Sequence, residues 1–179
     1  LGGGSAQPEL VLDAVLVNGG VVKAGAGLLR LDQQNTYAGS TSVRAGTLLL
    51  HGGSDRLSGT GALNLSGGVL DLGGNLQNIA AQILLEGGTL ANGTLSFANL
   101  NADARNGLVS AVLAGTMGLT KTTAGLLQLT NANLYSGTTE VQAGTLLLSG
   151  ANNRLSALSA LSLTGGVLDL GGNTQATDS

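Results

Sequence analysis

The chain has 179 residues, with 7 Lys and Arg against 10 Asp and Glu, and this net charge of −3 without a basic run or an aromatic platform argues against nucleic-acid binding. Charged residues make up only 9%, where an ordinary globular domain has about 25%. No cysteine is present, which excludes disulfide frameworks and thiolate metal sites, and the apolar runs fall far short of the ~20 residues of a membrane-crossing helix.

What remains is a chain of Leu, Val, Ala and 31 Gly, with one Phe and two Tyr. Glycine at this frequency has no three-residue period, so the chain is not collagen, and the regular leucines argue against disorder. Such a composition suits many short strands joined by tight turns.

In chain order, LGGGSAQPEL lacks the basic region and apolar core of a leader. Residues 1–9 are expected to be a linker or fragment boundary, and 10–179 one segment cut from something longer. The stretch VVKAGAGLLRLDQQNTYAGSTSVRAGTLLL over 21–50 then returns as LTKTTAGLLQLTNANLYSGTTEVQAGTLLL over 119–148. Lys23 matches Lys121 and Tyr37 matches Tyr135, each 98 positions on (121 − 23), and LSGGVLDLGGN from Leu65 recurs as LTGGVLDLGGN from Leu163 in the same phase. The segment is therefore a tandem repeat, split into 10–107 and 108–179. A fixed period of this kind decides architecture before any local reading does.

The long unit divides again. Gly27, Gly46, Gly68, Gly88, Gly107, Gly125, Gly144 and Gly166 each precede an apolar run, at spacings of 19, 22, 20, 19, 18, 19 and 22. Two positions after each stand Leu29, Leu48, Leu70, Leu90, Val109, Leu127, Leu146 and Leu168; four positions after stand Leu31, Leu50, Leu72, Asn92, Ala111, Leu129, Leu148 and Leu170. The residues between them, such as Arg30, Asp71 and Gln128, are mixed. Period two puts the first two sets on one inner strand face and the third on the outer face. Further strands are expected at 21–23, 40–44, 62–65, 82–86, 94–97, 138–142 and 160–163, with glycine- and asparagine-rich corners between.

An inner aliphatic row every ~20 residues is the signature of stacked coils, each unable to bury its row alone. The expected fold is all-β, a parallel β-helix of about 8–9 rungs and roughly 40 Å at the ~4.8 Å strand separation. A barrel or sandwich is the competing fold, but its strands usually recur every 8–12 residues.

Residues 21–50 resemble the passenger-associated transport repeat of bacterial autotransporters. Lys23, Gly25, Gly27, Leu29 and Leu31 supply its first half; Asn35, Tyr37, Gly39, Thr41, Val43, Gly46 and Leu48 supply the second. The later copy matches with Lys121, Gly125, Leu127, Leu129, Asn133, Tyr135, Gly137, Thr139, Val141, Gly144 and Leu146, and departs at Thr123, where the pattern prefers Gly. The resemblance implies a right-handed β-helix in a surface-exposed or secreted passenger, reached through the periplasm and outer membrane. It implies as partners the rest of the passenger and its outer-membrane β-barrel, and a structural role in folding-coupled secretion and display. An adhesin or self-association module that uses the outer face against a host surface or a second copy is the alternative.

Chemistry is sparse. His51 stands alone in the turn HGGSD and is replaced by Ser149 in the second copy, so it reads as a solvated turn residue. Asp71 and Asp169 lie five rungs apart, roughly 24 Å, too far for paired carboxylates and so solvated outer-face residues. GGVLDLGGN lacks the glycine at its fourth position that a calcium nonapeptide needs, and GAG and GTG lack the lysine and helix of a phosphate loop. No catalytic activity, metal, cofactor or small-molecule substrate is expected. Asn35 with Tyr37 and Asn133 with Tyr135 read as corner-packing residues, with surface recognition the alternative. A mildly apolar outer stripe of Leu28, Leu49, Val69, Leu108, Leu126, Leu147 and Val167 could be covered by a loop or another chain.

Overall fold

A computed structural model describes residues 9–176. The linker expected over 1–9 therefore lies outside the described residues except for Glu9, which opens the first strand. The first half holds β1 (Glu9–Leu12), β2 (Val21–Lys23), β3 (Leu28–Leu31), β4 (Thr41–Val43), β5 (Thr47–Leu50), β6 (Leu63–Leu65), β7 (Val69–Ile79), β8 (Ile83–Leu85) and β9 (Thr89–Phe97). The second holds β10 (Ala102–Ala104), β11 (Gly107–Val109), β12 (Val112–Gly115), β13 (Leu119–Lys121), β14 (Leu126–Leu129), β15 (Thr139–Val141), β16 (Thr145–Leu148), β17 (Leu161–Leu163) and β18 (Val167–Asp169).

Every pairing is parallel, which requires a crossover between partners rather than a hairpin. One sheet runs β1-β3-β5-β7-β9-β11-β14-β16-β18, with β12 also on β9; the other runs β2-β4-β6-β8-β10-β13-β15-β17. Each coil thus takes one strand from each sheet, and the chain is a β-solenoid of about eight turns, eight being the strand number of the second sheet.

The inner leucines stack like above like. Leu48 pairs in register with Leu29 and Leu70, and Leu70 with Leu90. Leu127, Leu146 and Leu168 repeat the column in the second copy. Across the core, Val43 stacks on Leu65 and Leu65 on Leu85. Leu48, Leu70, Leu90, Leu127, Leu129 and Leu146 are 0% exposed, each burial contributing about 1.5–3 kcal/mol. Leu168 and Leu170 are only half-buried, since they lie in the last coil of the described stack; Leu29, on the strand next to β1, is half-buried as well.

The inner row breaks at Asn92. Expected inward, its side chain is exposed, its backbone takes φ 54°, and Ala91 is buried in its place. The cause is a register shift between Asp71 and Asn75, after which β7 and β9 continue around the corner. A bulge inserts an unpaired residue and flips the alternation beyond it. Four strands also escaped the expected set, β1, β10, β12 and β13, as did the extension of β7 through Ile79. Ala102–Ala104 and Val112–Gly115 carry little β-propensity of their own, so their pairing with β8, β13 and β9 fixes them as strands.

Candidate functional site: staples between the coils

Lys23 ends β2 on the same face as buried Val21, so period two points its side chain inward. It is 5% exposed, and its Nζ donates to the carbonyls of Gly25 at 2.8 Å, Ala45 at 3.0 Å and Ala24 at 3.3 Å. Three N–H donors thus meet three acceptors, one of them on the next coil. Gly46 belongs to the same device: its φ is +65°, and a Cβ there would overlap Lys23 Nζ and the carbonyls of Gly25 and Gly27. Motif lysine and motif glycine are therefore one structure. The second copy repeats it. Lys121 is 0% exposed and donates to the carbonyl oxygens of Thr123 and, at 3.2 Å, Ala143 of the following coil. The departure at Thr123 leaves this intact because the acceptor is backbone. Burial pushes the Lys121 ammonium below its usual range, and the nearby Asp103 carboxylate opposes that shift.

Asn35 and Asn133 bridge coils in both directions. Asn35 Oδ1 accepts from Leu16 N of the preceding coil at 2.7 Å, while its Nδ2 donates to Gln33 O at 2.9 Å and to Arg56 O of the following coil at 2.6 Å. Asn133 does the same with Leu113 N at 2.8 Å, Asn131 O at 3.1 Å and Arg154 O at 2.7 Å. Gln77 and Gln175 continue the pattern on the backbones of Leu57 and Leu155. Among the described residues, no buried side-chain nitrogen or oxygen lacks a partner. A polar ladder inside an apolar core is tolerable only under that condition.

Tyr37 and Tyr135 lie wholly inside, at 0% exposure, each hydroxyl 2.6 Å from a threonine Oγ1, that of Thr41 and Thr139 respectively. The Tyr135 ring sits 6.2 Å from that of Phe97, tilted by 35°, an ordinary aromatic contact. Gly39 and Gly137 sit at the adjacent corner, where backbone approaches so closely that a Cβ would overlap Gly19 or Gly118. Gly27 and Gly125 each accept the amide of the next coil's Thr47 or Thr145 at 3.1 Å. Leu31, Leu48, Leu127, Leu129 and Leu146 line the core, with Leu29 at its end.

Burial raises both phenols, Tyr135 to about 12, with the threonine hydrogen bonds opposing. A folded pKa above the unfolded value of about 10 gives stability that is complete below pH 10 and lost as pH rises towards 12. Tyr135 alone should cost about 1.4 kcal/mol per pH unit across that window. Lys121 runs the other way and acts lower: its depressed pKa makes stability rise with pH until 10.5, the unfolded lysine's value. In an alkaline titration, phenolate absorbance should appear together with loss of β-sheet circular dichroism. Phenolate formed well before unfolding would contradict the buried placement.

The remaining candidates are spread out. His51 is not simply solvated: its Nδ1 lies 3.2 Å from Asp32 Oδ1, though its side chain stays 55% exposed. Asp32 also receives both arms of Arg30 at 2.8 and 2.7 Å, and that contact chiefly holds its carboxyl below the usual range. Asp71 and Asp169 each accept the amide two residues on, Gly73 and Gly171, at 2.8 Å, which makes them turn formers. The outer apolar stripe is interrupted in register, Leu28 by Thr47, Val69 by Thr89, and Leu49 by Asp71.

The model of the passenger-associated-transport-repeat family matches the chain twice, at residues 21–50 and 119–148. Each match runs from β2 or β13 to β5 or β16, and so encloses one lysine cage and the asparagine whose bridge reaches the coils on either side. The chain is also similar to the adhesin BmaC autotransporter of Brucella suis biovar 1 (strain 1330), at 34% identity over 186 residues. That alignment covers 92% of this chain and 5% of the relative's length. No solved structure matches the chain.

Proposed function

We propose, from the premise that this chain is a passenger-associated-transport-repeat segment of an autotransporter passenger, that its role is to drive and hold the folding of that passenger outside the cell. One observation carries the reading: the motif lysine and asparagine of each repeat, Lys23 with Asn35 and Lys121 with Asn133, are buried and bonded to backbone groups of adjoining coils. Docking of the coil that carries Ala45 or Ala143 completes the cage of Lys23 or Lys121 on the coil before it, and each further coil buries its inner row on the last, so stacking free energy accrues coil by coil. Such a gain opposes the return of exported chain. The partners on this reading are the remainder of the passenger and the outer-membrane β-barrel, the route is through the periplasm and outer membrane, and the segment performs no catalysis. Asp71 and Asp169, the residues most open to an acid–base role, are engaged by their own turns, which supports that last point.

The test is to delete residues 21–148 from the parent protein and measure passenger at the cell surface, beside a replacement by an unrelated β-helix of equal coil number. Export lost on deletion and restored by the replacement is the expected result. Normal export with lost adhesion would overturn it in favour of an adhesive module, the second reading, which the similarity to a Brucella adhesin favours.

A further inference from the structure

The inner row turns outward at Asn92, and a groove lies there. Beside the bulge over Asp71–Asn75 and the left-handed Asn92 lies a shallow depression of about 660 Å³, largely open to solvent. Leu49 and Val112 stand at its sides and Gly73 and Gly74 contribute bare backbone. Asp71 and Asn92 supply the polar groups, already locked together: Asn92 Nδ2 donates to Asp71 Oδ2 at 2.9 Å, while Asp71 Oδ1 accepts Gly73 N at 2.8 Å.

We propose that this groove is a binding site for a neutral saccharide, separate from the stapling role of the repeats. Three observations point to that class. The lining mixes apolar side chains with oriented carboxylate and amide groups, as a sugar's C–H faces and hydroxyls require. Asn92 keeps one amide hydrogen and its carbonyl oxygen beyond its bond to Asp71, and each Asp71 oxygen keeps a lone pair, so the pair can both donate to and accept from hydroxyls. With one carboxylate and no cationic side chain, the lining repels anions and offers too few charged ligands for a calcium ion, which takes 6–8 oxygens. The other coils place Leu or Ala at this position, so the amide is particular to this coil.

The test uses the 179-residue chain, labelled with nitrogen-15 and titrated with chitotriose, maltotetraose and lactose, with inorganic phosphate and calcium chloride as controls. At least one sugar should shift the amides of Gly73, Gly74 and Gly93 with a millimolar dissociation constant, and phosphate and calcium should not. Asn92→Gly keeps the left-handed backbone while removing the amide, and should weaken binding at least tenfold with unfolding temperature unchanged. Shifts confined to other coils, no shift with any of the three sugars, or equal binding by Asn92→Gly would overturn the proposal. Replacing residues 21–148 tests export independently, so failure of one proposal leaves the other standing.

Discussion

Leu146→Asp should unfold the second repeat. Leu146 is 0% exposed and stacks between Leu127 and Leu168, so the substitution removes a core side chain and leaves a carboxylate against leucine above and below. Losing the leucine alone costs about 2–5 kcal/mol by the usual core truncation scale. An unpaired buried charge adds more, or forces the carboxyl to protonate. Together these reach about 5 kcal/mol or above, comparable with the whole stability of many domains. Leu48→Asp should do the same to the first repeat. The control is Leu147→Asp, one residue on, on the outer face and in register with Asp169 of the next coil. Because side chains alternate, it should change stability by roughly 1 kcal/mol or less. Thermal unfolding followed by circular dichroism separates the two; equal losses would contradict the assigned faces.

Asn133→Leu has the second-largest expected effect, for a different reason. The shapes are similar, so little packing is lost, but the buried amide of Leu113 loses its only acceptor and Asn131 O loses a donor. An orphaned buried group costs about 1–3 kcal/mol, which places the variant at a loss of roughly 2–4 kcal/mol. Arg154 O is spared because it also receives the backbone amide of residue 133, at 3.1 Å. Chemical denaturation should show this loss, and a variant as stable as its parent would mean the bridge is replaceable by water.

The 98-residue period and the two-residue alternation made the solenoid legible, because each coil buries the same row and so repeats the same letters. The inward lysine was not read from the sequence, although Val21 and Lys23 share a strand face and Leu119 and Lys121 repeat it. Hydropathy argues against burying an ammonium, and only the turn carbonyls, which have no letter of their own, make it affordable. Asn35 and Asn133 were readable as corner residues, yet their reach to both neighbouring coils depends on how corners stack. The bulge at Asp71–Asn75 was hidden for a similar reason. VLDLGGN is identical in both copies, but β7 runs on to Ile79 while β18 stops at Asp169, so the neighbouring coil decides the outcome.

Native-state hydrogen exchange on Asn133→Leu tests the stapling account most directly. In the parent, the amides of Leu113 and of the coils on either side should exchange as one protected block. The account predicts that the variant loses protection across those coils together, while the coils around Asn35 keep theirs. A loss confined to the Leu113 amide, or a uniform loss along the whole solenoid, would contradict the claim that these asparagines couple one coil to the next.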